Sequence, residues 1–160
     1  YHTQGVFSGP IIKEFQRMQI PLNITAVFTT EQVDELLRYL DPSQPVIISV
    51  FAGRIADTGR DPIIIMGAIR HSLIQQAPNA ELLWASCREV YNILQADQCG
   101  CQIITVTYDI LKKLPLLGKD LSAYSLDTVR AFYEDARAAG ITLSAMPPEE
   151  SVSKVRAGRP

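Results

Sequence analysis

Four apolar runs of this chain each end in small polar or cationic residues. Asn23 and Thr25 lie on the first, Ser49 and Arg54 on or after the second, Ser86 and Arg88 on the third, and Thr105 and Thr107 on the fourth. Amide and hydroxyl groups of this size can hold the hydroxyls of a small polar ligand. Arginine offers a planar fork of donors that matches phosphate oxygens two at a time. Polar groups on strands buried on both faces are costly unless they meet partners or a ligand. Four strands carrying such groups toward one end therefore predict a polar site there, and the two arginines predict a phosphorylated ligand. Ser86 can bond the same oxygens, and a helix starting at Glu89 would add oriented amides. The competing reading is an ordinary polar loop in which Arg54 and Arg88 pair with surface carboxylates such as Asp57 or Asp61.

The elements that would position these residues follow from the apolar spacing. Val46–Val50 is a continuous apolar run interrupted only by Ser49, as in a strand covered on both sides, and Gly53, Arg54, Asp57 and Gly59 end it. Ser49 and Phe51 are two apart and share a face. Upstream, Pro10–Gln19 has helical spacing with proline at a favoured first position. Leu22–Phe28 reads as a strand with Asn23 and Thr25 on one face and Leu22, Ile24 and Ala26 on the other. Thr29 and Gln32 fit a capping box for a helix over Thr29–Leu40. Downstream, a helix is predicted over Ile63–Gln76 with Ile64, Met66, Ile69 and Leu73 inward. A strand over Glu81–Ser86 follows, then a helix over Glu89–Asp97 with Val90, Ile93 and Leu94 inward. A strand over Gln102–Thr107, a short helix over Tyr108–Leu114, a loop over Pro115–Ser125 and an amphipathic helix over Leu126–Ala139 complete the pattern. Strands alternating with helices across short links predict an α/β fold with a parallel sheet. Residues 1–140 are read as one domain and 141–160 as a tail with little apolar content.

Composition narrows the function. The 160 residues carry a formal net charge of -2, and their 15 basic residues form no tract, so nucleic acid is not an expected partner. No unbroken apolar run is long enough to span a membrane, and no signal-peptide pattern opens the chain. Cys99-Gly100-Cys101 lacks a second ligand pair, and only His2 and His71 could help, so no metal is expected. Buried free thiols fit a reducing cytoplasm. His71, mid-helix, is read as structural, Trp84 as core or pocket wall, and Lys112 and Lys113 as complements to a helix dipole. No glycine-rich phosphate loop is present.

Three ordered segments carry a resemblance. Leu22-Asn23-Ile24-Thr25-Ala26-Val27-Phe28-Thr29, Ser49-Val50-Phe51-Ala52-Gly53-Arg54-Ile55 and Ala85-Ser86-Cys87-Arg88 resemble successive strand motifs of the transaldolase family, which includes fructose-6-phosphate aldolase-like enzymes. Ile103–Leu111 with Leu114-Pro115 is similar to its last strand and helix. The resemblance spans about residues 5 to 140 and implies strands 5–8 of a TIM (β/α)₈ barrel, with a C-terminal helix. It implies transfer or cleavage of a dihydroxyacetone unit on sugar phosphates, in carbohydrate metabolism, through a lysine Schiff base and without a cofactor. By the same resemblance Asn23 and Ser49 would hold sugar hydroxyls and Thr25 would help place the proton-carrying water. Phe51 would wall the pocket, and Arg54, Ser86 and Arg88 would bind the substrate phosphate.

The chain departs from that pattern in one decisive respect. The family's lysine belongs to the fourth barrel strand, and the match starts only at His2-Thr3-Gln4-Gly5. The acidic residues of the family's first and third strands are likewise unmatched, and Thr107 stands where many relatives have proline. None of Lys13, Lys112, Lys113, Lys119 or Lys154 falls on a predicted strand. The expectation is a C-terminal half barrel, inactive alone, whose open edges call for the N-terminal half or for self-association into a homo-oligomer. Three alternatives stand beside it: an enzyme that works only when the missing half is supplied by another chain or the parent gene, a non-catalytic phosphate-binding or scaffold protein on a half barrel or doubly wound sheet, and a flavodoxin-like module. Against the last, Leu22–Phe28 leads into Thr29-Thr30-Glu31 rather than into a phosphate loop.

Overall fold

The computed structural model describes Tyr1 and residues 4–141. They fall into two compact units, Tyr1–Leu117 and a second from Gly118 onward. In the first unit the order is α1 (Gly9–Arg17), β1 (Leu22–Val27), α2 (Thr30–Leu37), β2 (Val46–Val50), α3 (Ala52–Asp57), α4 (Pro62–Gln76), β3 (Ala80–Trp84), α5 (Tyr91–Gln98), β4 (Ile103–Ile104) and α6 (Tyr108–Leu111), with a 3-10 turn at Leu114–Leu116. The strands form one parallel sheet in the order β1-β2-β3-β4. This is an α/β fold, and consecutive parallel strands with alternating helices are consistent with part of a (β/α)₈ barrel.

Alternation along the strands divides the sheet into two faces. Val46, Ile48 and Val50 of β2 and Ala80, Leu82 and Trp84 of β3 face the helices and pack with Val33, Leu36, Met66, Ile69 and Leu73. Ser49 and Leu83, register partners, belong to the other face. Asn23 and Thr25 are exposed, whereas Leu22 and Ile24 pack against the core.

Local signals set the helix ends. Thr29 and Gln32 form the predicted capping box, with the Thr29 hydroxyl accepting from the Gln32 N–H and the Gln32 side-chain Oε1 accepting from the Thr29 N–H. The Asp61 carboxylate accepts from the Ile63 N–H ahead of Pro62 at the start of α4. Within α4, Pro62, Met66, Ile69 and Leu73 repeat at spacings of three and four and are buried, so Ile64, two residues off that stripe, is 73% exposed rather than inward. Gly67, in the interior of α4, has no neighbouring atom within 4 Å of where a Cβ would sit. Gly67→Ala is therefore expected to stabilise the chain by about 0.5–1 kcal/mol, read from the urea midpoint.

Four departures from the sequence pattern bear on the site. Ala26 is exposed and left-handed (φ 59°), where the β1–β2 register shifts between Ile24 and Val27, so it does not share a face with Leu22 and Ile24. The residues after β2 form helix α3 rather than a loop, which puts Arg54 and Asp57 on a helix. The third strand ends at Trp84, and Ser86 is left-handed (φ 64°), so strand alternation does not reach Ser86 and does not pair it with Trp84. β4 is only two residues long, ending before Thr105.

In the second unit, α7 (Leu121–Ala138) starts five residues earlier than the sequence pattern predicts, because the Asp120 carboxylate accepts from the Ala123 N–H and caps it. Val129, Phe132 and Tyr133, apolar residues of the amphipathic pattern, are exposed. The tail read over residues 141–160 lies outside the described residues from 142 onward.

Candidate active site

The ends of β1, β2 and β3 are laced together by the backbone. The Phe51 N–H donates to Val27 O at 2.9 Å, the Ala85 N–H to Val50 O at 2.8 Å, and the Gly53 N–H to Ala85 O at 3.3 Å. The Thr105 N–H extends the ladder to Trp84 O at 3.0 Å. These bonds fix the segments that carry the candidate residues.

Asn23 and Ser49 meet. The buried Ser49 hydroxyl donates to Asn23 Oδ1 at 2.6 Å, across neighbouring strands. A hydroxyl on a strand otherwise lined by aliphatic residues is thereby satisfied. The Asn23 amide, on the exposed edge strand, stays open to a further acceptor. Asn23 and Thr25 also line a cavity of about 250 Å³ beside β1, walled by Phe7, Ile11, Phe15 and Leu22. Ser49, Arg54, Ser86 and Arg88 do not line it.

The aromatic and cationic groups form a second cluster. The Phe51 ring lies 5.7 Å from Phe28, and the Arg54 guanidinium stands 5.0 Å above the Phe51 ring. Arg54 is thus steered by a ring rather than by Asp57 or Asp61. Arg88 does take the surface-pair alternative: its Nη2 donates to Asp57 Oδ2, each side chain about 52% exposed. One pair of this kind leaves other guanidinium N–H groups for an anion.

Ser86 and Arg88 are held by close packing. The Ser86 carbonyl lies so near Gly53 that a Cβ there would sit 1.6 Å from its oxygen and 3.1 Å from Arg88 Cγ. The expected helix start at Glu89 is not observed: α5 begins at Tyr91, and the N–H groups of Arg88 and Glu89 donate to Asn92 Oδ1 at 2.8 and 3.1 Å. Those amides are therefore not free for a ligand, as the sequence pattern had them. Within α5 the buried residues are Asn92 and Ala96, and Leu94 is exposed, in place of the predicted Val90, Ile93 and Leu94 stripe.

Thr105 and Thr107 are exposed beyond β4, and Thr107 precedes α6 without capping it through its side chain. His71 is exposed on α4. Trp84 is fully buried in the core. Lys112 pairs with Asp109 and Lys119 with Asp127, and the acidic Asp127 is held below the usual carboxylate range, chiefly by its hydrogen bond to Lys119. All three cysteines are free thiols. Burial pushes the thiols of Cys87 and Cys99 up, and that of Cys101 up to about 12, which suits packing rather than nucleophilic work. Among the described residues no helix is long and apolar enough to cross a membrane.

Gly53 and Asn92 are the residues that sequence reasoning left out of the site, whereas Asp57 was offered there as a surface partner for the arginines. A glycine one residue before an arginine at a strand end was a visible sign of close backbone approach. An asparagine three residues after Glu89 was a visible sign of a side chain reaching back to the helix entry.

Comparison with known proteins bears on the same segments. The family model described as transaldolase/fructose-6-phosphate aldolase matches residues 7–157. A probable transaldolase of Oceanobacillus iheyensis is 27% identical over 103 residues, covering 64% of this chain and 46% of the relative. One from Syntrophomonas wolfei is 26% identical over 141 residues, covering 82% and 64%. One from Mesorhizobium japonicum is 39% identical over 83 residues, covering 50% and 38%. The chain spans about half the length of the curated relatives it matches.

Proposed function

The chain belongs to the transaldolase/fructose-6-phosphate aldolase family, and on that premise we propose that it supplies the sugar- and phosphate-holding side of a Schiff-base aldol site acting on sugar phosphates. The observation that carries this reading is the hydrogen bond between Asn23 on β1 and Ser49, one residue before the end of the strand β2 that runs on into Arg54. In this reading Asn23 and Ser49 hold hydroxyls of a dihydroxyacetone unit, and Thr25 helps place the water that carries protons. Phe51 walls the pocket and orients Arg54, while Arg54, Ser86 and Arg88 hold the phosphate. Phosphate contacts fix the substrate so that its carbonyl meets the nucleophile in one geometry.

The nucleophile itself is assigned to a barrel strand outside these 160 residues. A Schiff base forms when a neutral amine attacks the ketose carbonyl with loss of water, so the lysine needs surroundings that favour the neutral form. Strands β1 to β4 contain no lysine, and Lys112 and Lys119 are engaged with carboxylates. Both β1 and β4 are sheet edges, where further strands can pair.

Borohydride trapping with fructose 6-phosphate tests the reading. No stable adduct is expected on this polypeptide alone. An adduct is expected on the lysine of an N-terminal half barrel from a relative when the two are combined. A reduced adduct on the 160-residue chain would overturn the assignment. Sugar-phosphate binding with no exchange in the combined sample would favour the non-catalytic anion-binding reading.

A further inference from the structure

We propose that Asn92 is the positioning residue of the anion site, holding Arg88 in place through its main chain; this rests on the phosphate-binding reading of Arg54, Ser86 and Arg88. Asn92 is 7% exposed and lies in the first turn of α5. Its Oδ1 accepts two backbone N–H groups that precede the helix, from Arg88 at 2.8 Å and Glu89 at 3.1 Å, and its Nδ2 donates to Gln95 Oε1 at 2.8 Å. The usual capping relation, a residue before the helix bonding amides inside it, is here reversed. A helix residue reaches back and fastens the turn that leads in.

That turn has two further hydrogen bonds, both onto the Glu89 carbonyl: from the Cys87 thiol at 3.3 Å and from the Asn92 N–H at 3.1 Å. Ser86 is left-handed without being glycine, a conformation that needs support from its surroundings. The Ser86 carbonyl rests on the bare Cα of Gly53. At the far end of the Arg88 side chain, Asp57 holds the guanidinium, but that pair is half exposed. Exposed ion pairs hold weakly, whereas losing a buried acceptor shared by two amides leaves both without a protein partner. Asn92 therefore places Arg88, and Asp57 only steers its tip. Neither needs to touch the ligand.

The test titrates the chain with inorganic phosphate, followed by amide chemical shifts and calorimetry. Asn92→Ala is expected to weaken phosphate binding about tenfold. Asp57→Asn is expected to change it by less than about threefold. In an Arg88→Ala background Asn92→Ala should cost nothing further, because its effect passes through Arg88. Equal losses in both backgrounds would mean a merely structural role and would overturn the proposal. So would phosphate binding by Asn92→Ala equal to that of the unaltered chain, a result that leaves the anion site itself standing. If the unaltered chain takes no phosphate, the anion-site reading fails and the proposal with it. Should Asn92→Ala not fold, hydrogen exchange in the unaltered chain decides. The Arg88 and Glu89 amides are expected to exchange at least about tenfold slower than unprotected ones, and unprotected rates would rule Asn92 out.

Discussion

Replacing Gly53 by alanine is expected to destabilise the chain by about 3 kcal/mol and to abolish phosphate binding with it. The added Cβ would lie 1.6 Å from the Ser86 carbonyl oxygen and 2.7 Å from its carbon, and neither belongs to a flexible side chain that could swing aside. Either α3 or the end of β3 must move. α3 is anchored by the Gly53 N–H on Ala85 O, and β3 by the Ala85 N–H on Val50 O, so displacement breaks the lacing that fixes the segments carrying Arg54 and Arg88. A drop in the urea midpoint with unchanged slope would register the loss as stability rather than as a looser unfolded state. Gly67→Ala, with open space around the new methyl group, should shift the midpoint the other way. Equal behaviour of the two variants would mean that the approach of Gly53 to Ser86 is not close.

Trp84→Ala is expected to cost about 3–5 kcal/mol, measured in the same denaturation series. The indole is fully buried on the helix-facing side of β3, in one cluster with Ile48, Met66 and Leu73. Among the described residues its Nε1 has no hydrogen-bond partner. Trp84→Phe removes that unpaired donor along with part of the ring, so the two effects oppose each other. Its expected cost is under about 1.5 kcal/mol. A phenylalanine variant as damaged as the alanine one would show that shape, not apolar volume, sets the core at this position.

Much of this architecture was legible because its signals are local. The capping box at Thr29 and Gln32 and Pro62 after Asp61 state helix starts in a few letters. The Val46–Val50 run states a strand covered on both sides. The family segments at Asn23, Ser49, Arg54 and Arg88 stand in the same letters, and the match over residues 7–157 supports that resemblance. The contact between Ser49 and Asn23 was not legible in this way: the register sets Asn23 beside Ile47, and the bond reaches diagonally to Ser49. What stayed hidden was set by backbone conformations that no spacing rule reports. Strand alternation assigns Ser86 to the face of Trp84, and a left-handed turn cancels it. Periodicity cannot separate a helix starting at Glu89 from one starting at Tyr91, yet that shift decides whether two amides serve a ligand or Asn92. Arg54 could not be given its partner either, since a charge over the Phe51 ring depends on α3 being helical.

The order of the strands has a consequence for how the chain acquires its structure. Each strand pairs with the next one along the chain: Leu22 lies beside Val46, Val46 beside Ala80, and Leu83 beside Ile103. No pairing among the described strands has to wait for a distant segment, so the loop-closure penalty is modest at every step. Contact order is low for a parallel sheet, and assembly can proceed one unit at a time as the ribosome releases the chain. The growing sheet always presents its newest strand as the template for the one to come.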